Sequence, residues 1–171
     1  FPKDTLALVR TAQDNDAPIR LIETIVGINE TRKRAMAKKI EKAVGCPLRG
    51  LTIGILGLTF KANTDDVRES PALSIIQSLT DKGANLQAFD PEGMGEAAKL
   101  LPELKYCPTA PDAAVNADAL VIITEWPEFA NLNLEKIKAK MRQPVIVDLR
   151  NLIVPSKARE LGYTYVGIGI P

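Results

Sequence analysis

Two short runs without a polar residue, Leu120-Val121-Ile122-Ile123 and Val145-Ile146-Val147, constrain the fold of this chain most tightly. A strand with one wet face alternates apolar and polar residues. An unbroken apolar run has to be covered on both faces. Further strands are expected at 51–56, 86–89 and 163–168, with a shorter one at 105–107. Helices are expected between them at 71–81, 95–101, 109–115, 134–141 and 156–161. The first of these has clear ends: Ser70 suits the N-cap, Pro71 the first helical position, and Gly83 closes it. Thr109 caps the helix at 109–115. Strands alternating with helices give an α/β fold, a Rossmann-like doubly wound parallel sheet, here preceded by a long helix.

The part before Pro47 is helical. Residues 5–13 suit a short helix with Asp4 as N-cap, and the run Asp14-Asn15-Asp16-Ala17-Pro18 breaks it. Residues 19–44 form a longer helix, since Leu21, Ile22, Ile25, Ile28, Met36, Ile40 and Val44 recur at spacings near three and four. Gly45 is its C-cap. Arg32, Lys33, Arg34, Lys38, Lys39 and Lys42 crowd its second half and read as a solvated face rather than a basic partner site. The chain thus divides into 1–46 and 47–171.

Bulk properties exclude several classes. The net charge is +1, which points to neither nucleic acid nor an anionic membrane surface. There is no histidine, so imidazole acid–base chemistry and His-metal sites are excluded within these residues. Cys46 and Cys107 stand far apart without metal-ligand spacing, and read as free thiols of a reducing, cytoplasmic setting. The start, Phe1-Pro2-Lys3-Asp4, is neither a signal peptide nor an initiator, so the chain is expected to be a portion of something longer.

In a doubly wound sheet ligands bind beyond the carboxyl ends of the strands. The first strand runs into Gly57-Leu58-Thr59-Phe60-Lys61, which lacks the three glycines of a dinucleotide fingerprint. An extended loop, 59–69, precedes the helix and carries Lys61, Asp65, Asp66, Arg68 and Glu69. By residue types alone it suits a phosphate-binding loop or a salt-bridged surface loop equally. Asp90 occupies a position where a ribose is often held, but Asp90-Pro91 favours a turn. Trp126 reads as filler at the core edge rather than a stacking platform. Arg150 follows a buried strand and is aimed at the ligand crevice. Its planar fork suits phosphate or sugar hydroxyls, with an ion pair to a nearby carboxylate as the alternative.

At this point a resemblance becomes specific. Residues 57–71, Gly-Leu-Thr-Phe-Lys-Ala-Asn-Thr-Asp-Asp-Val-Arg-Glu-Ser-Pro, are similar to the G-L-x-F-K-x-N-T-D-D-x-R-E-S-P signature of the nucleotide-sugar dehydrogenases. Phe1-Pro2-Lys3-Asp4 resembles the end of their G-G-S-C-F-P-K-D motif, and Thr124-Glu125-Trp126 and Asp148-Leu149-Arg150-Asn151 follow in the expected order. The resemblance spans the chain and is nearest to UDP-glucose dehydrogenases. It implies oxidation of UDP-glucose to UDP-glucuronate with two NAD and water, through a thiohemiacetal and a thioester on a cysteine. GDP-mannose, UDP-N-acetylmannosamine or another related nucleotide sugar is the alternative substrate, and a non-catalytic dinucleotide-binding module the alternative role. Residue by residue, it implies that Asp4 orients water at the thioester. Phe1 and Phe60 line the sugar-nucleotide pocket, Lys61 and Arg150 bind the sugar nucleotide, and Arg68 reaches the NAD cofactor. It further implies that residues 1–46 are an interdomain and dimerisation segment building a homodimer, and 47–171 a UDP-sugar-binding domain. The nucleophilic cysteine, which would precede Phe1, and the N-terminal NAD-binding domain lie outside this sequence. Ile170 stands where an arginine is expected. The chain alone is therefore expected to show no dehydrogenase activity, and NADH formation from UDP-glucose by the purified chain would contradict this.

Overall fold

The computed structural model describes residues 2–170. In chain order the elements are α1 (Pro2–Asp14), α2 (Arg20–Val44), β1 (Thr52–Leu56), α3 (Pro71–Asp81), β2 (Asn85–Phe89), α4 (Met94–Leu100) and β3 (Lys105–Tyr106). They continue with α5 (Ala110–Ala113), β4 (Ala119–Ile122), α6 (Pro127–Ala130), α7 (Leu134–Lys138), β5 (Val145–Asp148), α8 (Pro155–Glu160) and β6 (Thr164–Gly167). The six strands form one sheet in the order β3-β2-β1-β4-β5-β6, and every described pairing is parallel. This is the strand order of the doubly wound dinucleotide-binding fold, and its direction of winding reverses between β1 and β4.

The continuous apolar strands serve two cores. Along β4 and just past it, Ala119, Val121 and Ile123 face one side, with α2, α3 and α4. Leu120 and Ile122 face the other, with α5, α6, α7 and α8. In β5, Val145 and Val147 belong to the first core and Ile146 to the second. The period-two alternation of side chains thus places every residue of such a run against helices.

Element ends follow local chemistry. Ser70 Oγ accepts the Ala72 amide at 3.2 Å, with Pro71 in the first turn of α3. Thr109 caps α5 through the Asp112 amide, and Gly45, at φ +84°, ends α2 with its N–H on the Glu41 carbonyl. The structure corrects Asp4 as N-cap: α1 begins at Pro2, so Asp4 lies inside the first turn, where its charge still complements the positive helix end. The four-residue helix α6 was not expected. It is too short for a periodic signal, and only Pro127 at its start marks it.

Helix α2 is built in two halves. Ala37 and Ile40 are fully buried in the core, and Lys82 pairs with Glu41 at 2.6 Å, fastening α2 to the end of α3. Toward its start, Leu21, Ile25 and Ile28 are exposed. Among the described residues no helix is long and apolar enough to cross a membrane.

The tyrosines give this packing a pH signature. Burial pushes the Tyr163 phenol up to about 12. Tyr165 is raised by burial and then by the Asp148 carboxylate that its hydroxyl meets at 3.2 Å, and Tyr106 is raised by burial. Folded values above the ordinary phenol value of about 10 mean that the stabilisation is complete below that pH and is lost as pH rises through the folded values. The folded chain is expected to show little tyrosinate absorbance near pH 10. The absorbance rise should coincide with loss of circular dichroism in the window from about 10 to about 12. Early absorbance with intact ellipticity would contradict this.

Candidate functional site

The first strand ends against the fourth with no room for a side chain. Gly57 has φ +94°, and a Cβ there would stand 2.6 Å from the Thr124 backbone nitrogen, so only glycine fits. The chain then turns over a buried carboxylate. Asp90, fully buried, accepts through Oδ2 from the Leu58 amide (2.7 Å), the Thr59 amide (3.1 Å) and the Thr59 hydroxyl (3.1 Å). Its Oδ1 accepts from the Glu92 (3.0 Å) and Gly93 (2.7 Å) amides. Trp126 Nε1 completes the cluster at 3.2 Å from Asp90 Oδ2 and 3.1 Å from Thr59 Oγ1. Asp90 makes the expected turn and also ties three strand ends together. Its acceptor sites are occupied by protein donors, which leaves none for a ribose. Trp126 is 6% exposed, so it fills the core edge as expected, with its polar edge satisfied.

Thr59 is held from above as well, its carbonyl accepting from Thr124 Oγ1 at 2.8 Å and Ser70 Oγ at 3.3 Å. The loop from Phe60 to Glu69 therefore springs from a fixed root. The Phe60 amide bonds the Asp66 carbonyl at 2.8 Å, and Arg68 clasps Asp66 with Nε and Nη2, both at 2.9 Å. That clasp, with the Arg68 amide adding to it, holds the Asp66 carboxyl down at about 2. The salt-bridged reading of the loop is thus realised. Phe60 and Lys61 project from its exposed side. Asn63 and Glu69 both adopt φ +60°. Asparagine tolerates this conformation, whereas glutamate is strained there.

A cleft of about 550 Å³ lies beside this loop, bounded by α1, α2, the start of α3 and the ends of β4 and β5. Thr5, Asn29, Lys33, Met36, Glu69 and Arg150 are among its lining residues. Arg150 is set by its surroundings. Buried Asp148 accepts the Arg150 amide at 3.0 Å and the Ile153 amide at 2.8 Å, which shapes the turn after β5. Arg150 Nε donates to the Ile123 carbonyl at 2.7 Å and stands 2.9 Å from Glu125 Oε2. Arg150 thus lines the cleft and also makes the ion pair with a nearby carboxylate. Asn151, at φ +54°, straps the tail down by bonding both the amide (2.9 Å) and the carbonyl (3.0 Å) of Ile168, another cleft residue.

The expected site residues fall into two groups. Arg150 lines the cleft, and Asp4 sits in the first turn of α1 directly before Thr5, which lines it too. Phe60, Lys61 and Arg68 lie on the loop and do not line the cleft. Phe1 lies outside the described residues. The wall contributed by α2 was missed, although Val26, Asn29, Lys33 and Met36 share one helical face by spacing. Reading only strand ends overlooks a helix that arrives from another part of the chain.

The residues present do not fit a dinucleotide cofactor. After β1 the chain makes a long loop clasped by its own Arg68–Asp66 pair, not a glycine turn opening into a helix N-terminus.

Replacing Asp90 by alanine strands several buried donors at once. The expected loss is about 3 kcal/mol or more in urea unfolding. Trp126, the single tryptophan, should report a red-shifted emission. A variant as stable as the parent with unchanged emission would show that the cluster is not what holds the loop.

Residues 54–155 match the UDP binding domain of the UDP-glucose/GDP-mannose dehydrogenase family. The chain is 52% identical to a UDP-glucose 6-dehydrogenase of Rhizobium meliloti (strain 1021), over all of this chain and 39% of that protein. It is 41% identical to the UDP-glucose 6-dehydrogenase TuaD of Bacillus subtilis (strain 168), over all of this chain and 37% of that one. The chain therefore spans well under half the length of these relatives. Among solved structures, a UDP-glucose dehydrogenase from the archaeon Pyrobaculum islandicum superposes with a TM-score of 0.84 at 32% identity, over all of this chain and 37% of that one. The UDP-D-ManNAc dehydrogenase of Pyrococcus horikoshii gives 0.73 at 27% identity, over 98% of this chain and 37% of that one. With its signature loop, its strand order and this match over most of its sheet, the chain belongs to the UDP-glucose/GDP-mannose dehydrogenase family, of which it carries the UDP-binding domain.

Proposed function

We propose that this chain is the sugar-nucleotide-binding portion of an NAD-dependent UDP-glucose 6-dehydrogenase, which oxidises UDP-glucose to UDP-glucuronate. The observation that carries this reading is Arg150, fixed at the end of β5 and lining the cleft beyond the strand ends. A doubly wound sheet places its ligand there, and a guanidinium suits a diphosphate or sugar hydroxyls. Lys61 and Phe60, carried on the rooted loop, bind the sugar nucleotide from its open side, the lysine as a point charge and the ring as an apolar face. Bound NAD would supply the hydride acceptor, and Arg68, exposed on the loop beside Asp66, is the residue of this chain that would reach it. Asp4 holds the water that releases the product.

A homodimer completes the proposal. Leu21 (70% exposed), Ile25 (40%) and Ile28 (60%) form a stripe on the first half of α2. A second copy of this chain covers that stripe. Leu21→Asp should then convert a dimer to a monomer in light scattering. A parent chain already monomeric at micromolar concentration would refute the dimer.

Calorimetric titration with UDP-glucose and, separately, with NAD tests the main reading. UDP-glucose is expected to bind, and NAD not. Lys61→Ala and Arg150→Ala should each weaken UDP-glucose binding about tenfold, the loss of a charge-assisted contact. Unchanged affinity in both variants, or NAD binding without UDP-glucose binding, would overturn the assignment.

A further inference from the structure

We infer that Glu125 is a positioning residue for Arg150, setting the guanidinium for the ligand. The inference rests on the sugar-nucleotide reading above and adds a residue to that site. Ile123 and Glu125 flank Thr124 just beyond β4, and both reach the same nitrogen of Arg150. The Ile123 carbonyl takes the Nε proton at 2.7 Å, while Glu125 Oε2 stands 2.9 Å from Nε. That carboxylate oxygen is buried and has no aligned hydrogen bond of its own among the described residues. Its contact with Arg150 is therefore one of charge. A buried anionic oxygen is tolerated when a cation compensates it. Held at Nε by a carbonyl and a carboxylate, and at its own amide by Asp148, the arginine keeps one orientation. Its two terminal nitrogens form no hydrogen bond with the described residues and can turn to the oxygens of a ligand. Fixing a flexible side chain beforehand lowers the entropy cost of binding.

The strand end that carries Glu125 is itself anchored. Thr124 Oγ1 bonds the Thr59 carbonyl, and Trp126 bonds Asp90 and Thr59. Thr124-Glu125-Trp126 thus ties the root of the Lys61 loop to Arg150, so the two expected ligand contacts share one support.

A simpler view predicts the opposite sign. A carboxylate near a diphosphate repels it, so removing its charge would tighten binding. Positioning predicts that E125Q weakens UDP-glucose binding about fivefold, the size of a partly exposed ion pair. E125D, which keeps the charge, should recover most of the affinity.

The experiment is a double-mutant cycle by calorimetry with UDP-glucose, on the parent chain, E125Q, R150A and the double variant, each checked by thermal melting. The expected result is a loss for E125Q in the parent and none in the R150A background. An equal loss in both backgrounds, or tighter binding by E125Q, overturns the proposal while the functional reading stands. A parent chain that does not bind UDP-glucose, or R150A that binds like the parent, overturns the functional reading and the proposal with it. If E125Q does not fold, E125D and E125D/R150A replace it in the cycle. The shorter side chain withdraws the carboxylate from Nε, so a small loss is expected beside Arg150 and none without it. A loss of equal size in both backgrounds again overturns the proposal.

Discussion

The carboxylate of Asp90 lies in the fully buried centre of the strand ends and gathers six donor contacts from three separate stretches of chain. Taking a carboxylate out of water is costly, and only donors on nearly every side make it tolerable. Those donors are not spare. They are the amides of Leu58 and Thr59 and the Thr59 hydroxyl leaving β1, the amides of Glu92 and Gly93 entering α4, and the indole of Trp126 after β4. None of these groups belongs to a sheet ladder or a helix interior, so each needs a partner. One charge thereby converts three chain turns into a single rigid platform, and the ligand loop is built on that platform.

From this centre the support runs outward in two directions. Through Thr59 it reaches Ser70 and Thr124, which fix where the loop starts and where α3 begins. Through the strand end 123–126 it reaches Arg150. A second buried carboxylate, Asp148, shapes the turn after β5 in the same manner, with two amides and the Tyr165 hydroxyl. Two acids that never touch the cleft thus decide how it is walled.

Much of the fold was legible because its signals are local. The apolar runs of β4 and β5 announce burial on both faces, and Ser70-Pro71 marks the start of α3 to the residue. The C-cap Gly45 closes α2 where expected. What was not legible depends on contacts between distant residues. Nothing in Asp90-Pro91 reveals donors from Leu58 or Trp126, and a turn was the reasonable reading. The α2 wall of the cleft follows the helical period, but which face meets the strand ends is decided by packing. Arg150 was legible as a crevice residue because the end of a buried strand has a fixed meaning in this fold. Glu125, its neighbour in space, lies 25 positions earlier in the chain, and only the structure brings the two together.

Helix α2 carries a mechanical consequence. Its 25 residues make a rod about 37 Å long at the usual helical rise. One end is clamped into the core by Ala37 and Ile40 and into α3 by the Glu41–Lys82 pair. The free end exposes Leu21, Ile25 and Ile28, and the middle forms a wall of the cleft. A body seated on the free end cannot tilt without bending the rod or levering its clamp. The helix acts as a gauge block that holds such a body at one distance and angle from Arg150.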